Sequence, residues 1–259
     1  MFQTIVKIFL LVIITAAITP FIRKLAFVLG AVDNPNARRI NKKPMPTIGG
    51  LAIFVAFNIG EFVLLRKDFP THELFSVLLA SSVIILTGLI DDILELKPRQ
   101  KMFGIFVASL VVYFLAGIKV RELSLPFLGH IQLGWWSFPL TIFWILALTN
   151  AVNLIDGLDG LATGVTLISL VTMGIVGFFF LKSWQHYVPI MCIMLAACLL
   201  GFLPYNFHPA KIFLGDTGAL YIGFMISVLS LKGLKNVTFV SLLVPILILG
   251  VPITDTVYA

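Results

Sequence analysis

The chain has 259 residues, 59% hydrophobic and 12% charged, with a mean hydropathy of +1.07 and a net charge of +6. Ordinary soluble domains are roughly 45–50% apolar and about 25% charged, so a water-soluble globular fold is excluded. The 18 Lys and Arg residues are scattered between apolar runs and form no single basic face, which argues against nucleic acid as a partner.

Runs of about 20 apolar residues suffice to cross a hydrocarbon core of about 30 Å. Nine such spans are read near residues 4–29, 48–65, 74–90, 102–118, 138–154, 161–181, 187–203, 218–231 and 237–254. The expectation is an all-α, polytopic transmembrane helical bundle forming one integral membrane domain over residues 1–259. The first run has no small-residue cleavage site followed by a polar mature region, so it reads as a membrane helix and not as a removed signal. Cys192 and Cys198 lie six apart in one predicted helix, point in different directions and have no plausible bridge.

After the first span, Asp33-Asn34-Pro35 leads into Arg38, Arg39, Lys42 and Lys43, then Pro44, Pro46, Thr47, Gly49 and Gly50. Basic juxtamembrane segments attract anionic headgroups, and a phosphate-bearing substrate would use the same charges, with Lys43 the candidate. The third span ends in Gly88-Leu89-Ile90-Asp91-Asp92-Ile93-Leu94-Glu95. Two adjacent carboxylates at the water boundary, with Glu95 about one turn on, suit a divalent cation or a proton acceptor. A solvated helix end beside Lys97, Arg99 and Lys101 is the plainer reading.

Residues 119–134 form the longest connection, with short alternating stretches around Pro126 and Gly129 that predict a small outer hairpin. Trp135 and Trp136 read as interfacial anchors. Next, Asn153, Asp156 and Asp159 recur every three residues within 150–160, with glycines beside both aspartates and no Lys or Arg to neutralise them. Such spacing stacks polar groups on one side of a helix end or tight turn. In residues 205–218, Asp216-Thr217-Gly218 either caps the eighth span or presents its free N–H groups to a phosphate or metal-phosphate complex. His208 alone defines no zinc site.

Nine alternating spans place ten of the 18 basic residues, among them Arg38, Lys43, Lys101 and Lys211, on one face, expected to be cytoplasmic. Seven of the eight aspartates fall on that same face, and only Asp68 lies outside it. Carboxylates for a metal, basic residues for phosphates and glycine-flanked turns fit pyrophosphate chemistry, which needs mainly positioning and charge neutralisation. A site at the membrane surface further implies one lipidic and one soluble substrate. Transport is the main rival class, but carrier sites sit near the bilayer midplane, and the one acid inside a span, Glu61, lies near its outer end.

GLAIF at 50–54, LIDD at 89–92, NAVNLIDGLDGLA at 150–162, YNFHPAKIFLGDTG at 205–218 and GVPITDT at 250–256 closely resemble the polyprenyl-phosphate N-acetylhexosamine-1-phosphate transferases. This is the superfamily of the MraY, WecA and TagO enzymes, and the motifs occur in its order and spacing along essentially the whole chain. The resemblance implies that UDP-N-acetylhexosamine and a polyprenyl phosphate, usually undecaprenyl phosphate, react with magnesium or manganese to give a lipid-linked pyrophosphoryl sugar and UMP. Carried over residue by residue, Asp216 would ligate the metal, Asp91 and Asp92 would be catalytic, and Asn153 and Asp156 would line the metal-pyrophosphate site. Asp159, Asn206 and Phe213 would hold the uridine, with Phe213 stacked on uracil and Lys43 nearby.

The YNFHPAKIF and LELKPRQK stretches look more like the WecA/TagO branch, which implies UDP-GlcNAc as donor and the first step of teichoic acid or other surface-polymer synthesis. An MraY-type phospho-MurNAc-pentapeptide transferase and a non-catalytic truncated homologue are the alternatives. The expected setting is the plasma membrane, with the site facing the cytoplasm and membrane lipids or a second copy in a homodimer as further partners. Members of the family continue beyond the position of Ala259, so a chain truncated at its C-terminus is expected. The mechanism expected is direct attack by a lipid phosphate oxygen, with Asp91 taking the proton. A covalent phosphoryl-aspartate is its alternative.

Overall fold

A computed structural model describes residues 2–35, 43–64, 70–125, 129–181 and 186–233. Within them the chain forms α1 (Phe2–Leu29), β1 (Val32–Asp33), β2 (Met45–Pro46), α2 (Gly50–Ile59), α3 (Thr71–Leu94), α4 (Pro98–Phe114), β3 (Glu122–Leu125), β4 (Gly129–Gln132), α5 (Ser137–Ile155), α6 (Leu161–Phe180), α7 (Tyr187–Asn206) and α8 (Gly215–Gly233). The first eight predicted spans fall on these helices. The ninth lies outside the described residues, as do Arg38, Arg39, Lys42, Asp68 and Asp255.

Five helical segments, Gln3–Leu29, Thr71–Leu94, Gly134–Ile155, Leu161–Phe180 and Tyr187–Asn206, are long and apolar enough to cross a membrane. The chain is thus an all-α, multi-pass membrane protein. In a bilayer core each backbone polar group must be satisfied internally, which helices do and open segments do not. The buried hydroxyls obey the same demand: Thr15 and Thr19 donate to the carbonyls of Leu11 (2.8 Å) and Thr15 (2.7 Å) one turn back.

The centre of the bundle is α8. Every residue from Thr217 to Lys232 is buried, as expected of a helix apolar all round. It packs against α3 and α5 most extensively, and also against α2, α6 and α7. Small residues let the backbones close in, as in other membrane bundles. A Cβ on Gly50 of α2 would stand 2.0 Å from the Cα of Gly218, and one on Gly88 of α3 would stand 2.5 Å from the Cα of Thr217.

Two small β pairs complete the fold. β3 and β4 pair antiparallel, Glu122 opposite Gln132 and Leu125 opposite Gly129, which is the hairpin predicted for this connection. The Val120 amide donates to the Thr141 hydroxyl (3.1 Å), tying the hairpin's entry to α5. β1 and β2 also pair antiparallel, Val32 with Pro46 and Asp33 with Met45, a contact too short to register as strand periodicity. Glu61 is buried in the π-helical turn Gly60–Leu64 that ends α2. At the end of α8 remote from Asp216, Lys232 forms an ion pair with Glu73 of α3 and lies 4.5 Å above the Tyr187 ring.

Candidate active site

Alternating helix directions bring the C-terminal ends of α3 and α5 and the N-terminal ends of α2, α4 and α8 to one end of the bundle. α3 stops where Glu95 takes a left-handed conformation (φ 50°) and its amide donates to the Asp91 carbonyl (2.9 Å). The Asp91 side chain reinforces that stop, Oδ1 accepting the Leu96 amide at 2.7 Å. Asp91 is 6% exposed, whereas Glu95 is exposed at the helix end. α4 then restarts with Pro98 in its first turn and the Lys97 amide donating to Gln100 Oε1 at 3.0 Å.

Lys101, in the first turns of α4, joins the two acidic helix ends. Its ammonium forms an ion pair with Asp91 Oδ2 and donates to Asp216 Oδ1 at 2.8 Å. Burial works against its charge, but the carboxylates of Asp216 and Asp91 beside it outweigh burial and hold the amine above its usual range. Asn153, near the end of α5, donates its amide N–H to the same Asp216 oxygen. Asp156 follows the last residue of α5 and is largely covered, and burial, then the charges of Asp216, Asp92 and Asp159, push its carboxyl up to about 8.

Asp92 turns to α8. Its Oδ1 accepts the Asp216 amide (3.0 Å), and its Oδ2 accepts the Thr217 amide (3.0 Å) and hydroxyl (2.5 Å). Both readings of Asp216-Thr217-Gly218 are corrected: the cap is not local, and the Asp216 and Thr217 amides are taken by Asp92 and not left for a phosphate. The helix begins at Gly215 (φ 72°), which has no side chain, and the carboxylate that caps it comes from α3.

The loop between α7 and α8 is stitched to its surroundings by backbone. Phe213 donates to Pro46 O (2.8 Å), and the amides of Gly49 and Gly50 donate to Phe213 O (3.1 Å) and Leu214 O (3.0 Å). Asp159 Oδ2 accepts the Ala210 amide and pairs with His208 Nδ1, both at 3.1 Å. Asn206 is buried beneath this loop, its oxygen accepting from Thr163 (2.7 Å) and its nitrogen donating to Ile212 O (3.2 Å). Phe213 is half-buried, and Lys43 is exposed two residues before β2.

Of the residues singled out in the sequence, Asp91, Asp92, Asn153, Asp156 and Asp216 thus gather at one point. Asp159, Asn206 and Phe213 belong to the adjoining loop wall, and Lys43 stands on the chain entering β2. Lys101 and Thr217 were not singled out as site residues. The signal for Lys101 is helical phase: it shares the stripe of Ile105, Ala108 and Val112, all buried, whereas Lys97 and Arg99 are exposed.

The donor set fits a hard cation. Asp91 Oδ2 is buried and has the Lys101 ion pair but no hydrogen bond, while the Asp216 side chain keeps 31% of its surface open. Among the described residues no three His, Cys, Asp or Glu side chains form a closed metal cage. Of the two carboxylates Asp216 presents the open side, and a hard cation held there would keep waters and be completed by substrate phosphates, as magnesium does.

Residues 74–234 match glycosyl transferase family 4, and the chain belongs to that family. A Bacillus subtilis (strain 168) protein named "Probable undecaprenyl-phosphate N-acetylglucosaminyl 1-phosphate transferase" is 43% identical over 244 residues, covering 93% of this chain and 66% of that protein. A phospho-N-acetylmuramoyl-pentapeptide-transferase of Clostridium botulinum (strain Eklund 17B / Type B) is 36% identical over 222 residues, covering 82% and 67%. One of Bacillus velezensis is 33% identical over 242 residues, covering 86% and 72%. The chain spans about two thirds of the length of the curated relatives it matches.

Proposed function

We propose that the chain transfers GlcNAc-1-phosphate from UDP-GlcNAc to undecaprenyl phosphate at the cytoplasmic membrane face. The products are undecaprenyl-pyrophosphoryl-GlcNAc and UMP, the first step of teichoic acid or another surface polymer. The observation that carries the reading is the sharing of Lys101 by Asp91 and Asp216 at an open end of the bundle, with Asp156 in electrostatic reach. The 43% identity to the Bacillus subtilis protein supports the GlcNAc donor. Transfer of phospho-MurNAc-pentapeptide is the second reading, resting on the 36% identity to the Clostridium protein.

Asp216 would hold magnesium, with Asn153 alongside. Bound there, magnesium supplies the positive charge that neutralises the donor's diphosphate. Lys101 presents a fixed cation beside the Asp91 and Asp216 carboxylates and draws phosphate into the site. The lipid phosphate oxygen attacks the sugar-linked phosphorus. The bond from that phosphorus to the oxygen bridging to the uridine phosphate breaks, and UMP leaves with the electron pair. Asp91 accepts the proton of the lipid phosphate when that oxygen arrives protonated. The loop of residues 207–214, pinned by Asp159 and the β2 backbone, forms the wall for uridine, with Phe213 offering its ring and Lys43 approaching from the strand. A soluble nucleotide and a membrane-held phosphate would then meet at one helix end.

The test is product analysis with the purified chain in detergent. UDP-GlcNAc, undecaprenyl phosphate and magnesium together should yield UMP and the pyrophosphoryl lipid, with UDP-MurNAc-pentapeptide unused. Turnover of the pentapeptide donor alone would replace this reading with the second one.

A further inference from the structure

We propose that Asp92 is a positioning residue and not the proton acceptor of the Asp91–Asp92 pair: its carboxylate caps α8 from the neighbouring helix and fixes where Asp216 stands. This deepens the proposed function and rests on it for the role of Asp216, but the cap itself is independent of the reaction.

The first amides of a helix have no partner within the helix, and a side chain at the N-cap usually supplies one. Gly215 starts α8 at φ 72°, and a Cβ there would stand 1.6 Å from Thr47 O and 2.8 Å from Asp92 Oδ2. A side chain at this position is excluded, chiefly by the Thr47 carbonyl, and the Asp92 carboxylate lies beside it. Three donors converge on it: the amides of Asp216 and Thr217 and the Thr217 hydroxyl. Its negative charge also faces the positive end of the helix dipole.

Gly88, one turn earlier on the same face of α3, lets Thr217 lie against the helix. Gly88 and Asp92 therefore form one dock for the first turn of α8. Adjacent residues on a helix point about 100° apart, so Asp91 faces a different way, onto Leu96 and Lys101. The two neighbours have separate tasks. Asp91 borders the reacting groups, while Asp92 acts through the backbone of Asp216.

Amide hydrogen exchange over residues 213–220 of the full detergent-purified chain, without metal or substrate, tests the cap. Asp92→Ala should speed exchange at the Asp216 and Thr217 amides about fivefold to tenfold, the effect of losing a cap. Asp92→Asn should do so less, because its oxygen keeps part of the contact. In turnover assays, Asp92→Asn should raise the half-saturating magnesium concentration severalfold and leave the shape of the pH–rate profile unchanged. Adding Thr217→Val to it should cost less than the two changes taken separately, since both cut one contact.

Unchanged exchange in Asp92→Ala overturns the proposal. So does loss of turnover in Asp92→Asn with protected amides and unshifted metal dependence, which would give Asp92 the proton. Should Asp92→Ala fail to fold, Asp92→Asn and Thr217→Val carry the same exchange measurement. If the wild-type chain releases no UMP, the functional reading fails while the exchange result still decides the cap.

Discussion

Lys101 sets the charge balance of the site, because one ammonium serves two carboxylates from different helices. Removing one partner of a buried pair leaves the other uncompensated, which costs far more than the pair itself contributes. Lys101→Met should therefore reduce turnover at least a hundredfold and raise the KM for UDP-GlcNAc, read by initial rates of UMP release. The Asp156 carboxyl is pushed up to about 8, by burial first and then by the charges of Asp216, Asp92 and Asp159. A raised folded pKa disfavours the charged form, so this group's contribution falls as pH rises from about 4 and is fully lost above about 8. Metal-free Asp156→Asn should accordingly melt several degrees above the wild type at pH 8–9 and near it at pH 4. Equal shifts at both pH values would contradict the assignment.

The elements succeed because α8 can approach its neighbours closely. Gly50 meets Gly218, and Gly88 meets Thr217, at distances that leave no room for a methyl group. Gly50→Ala should push the first turn of α8 away from α2 and destabilise the fold by about 1–3 kcal/mol, seen as a lower thermal midpoint and weaker magnesium dependence together. A lower midpoint with unchanged metal dependence would separate packing from site geometry. Helix positions were legible in the sequence to within a few residues, because apolar runs and their breaks report burial directly. Roles inside motifs were less so. Asp91 and Asp92 read as a matched pair of carboxylates, yet helical rotation sends one to Lys101 and the other to α8. Asn206 reads as a uridine contact, and the structure shows it joined to Thr163 and Ile212 beneath the loop. Such partners are remote in sequence, so no local pattern encodes them.

Across the whole molecule, parity of the spans puts most of the aspartates at one end. Asp91, Asp92, Asp156 and Asp216 do meet there, with Asp159 on the adjoining loop. The proposed cytoplasmic orientation can be read with Lys43→Cys, since Lys43 is exposed and both native cysteines are buried. A membrane-impermeant maleimide should label it in inside-out vesicles and not in intact cells. The reverse pattern would invert the topology. Magnesium-dependent UMP release from UDP-GlcNAc, with and without undecaprenyl phosphate, in wild type and Asp216→Asn side by side, decides whether the end of α8 bearing Asp216 is the site of phospho-sugar transfer. Release should require both lipid and metal in the wild type and fall at least a thousandfold in the folded variant. Near-normal release by Asp216→Asn would contradict that placement.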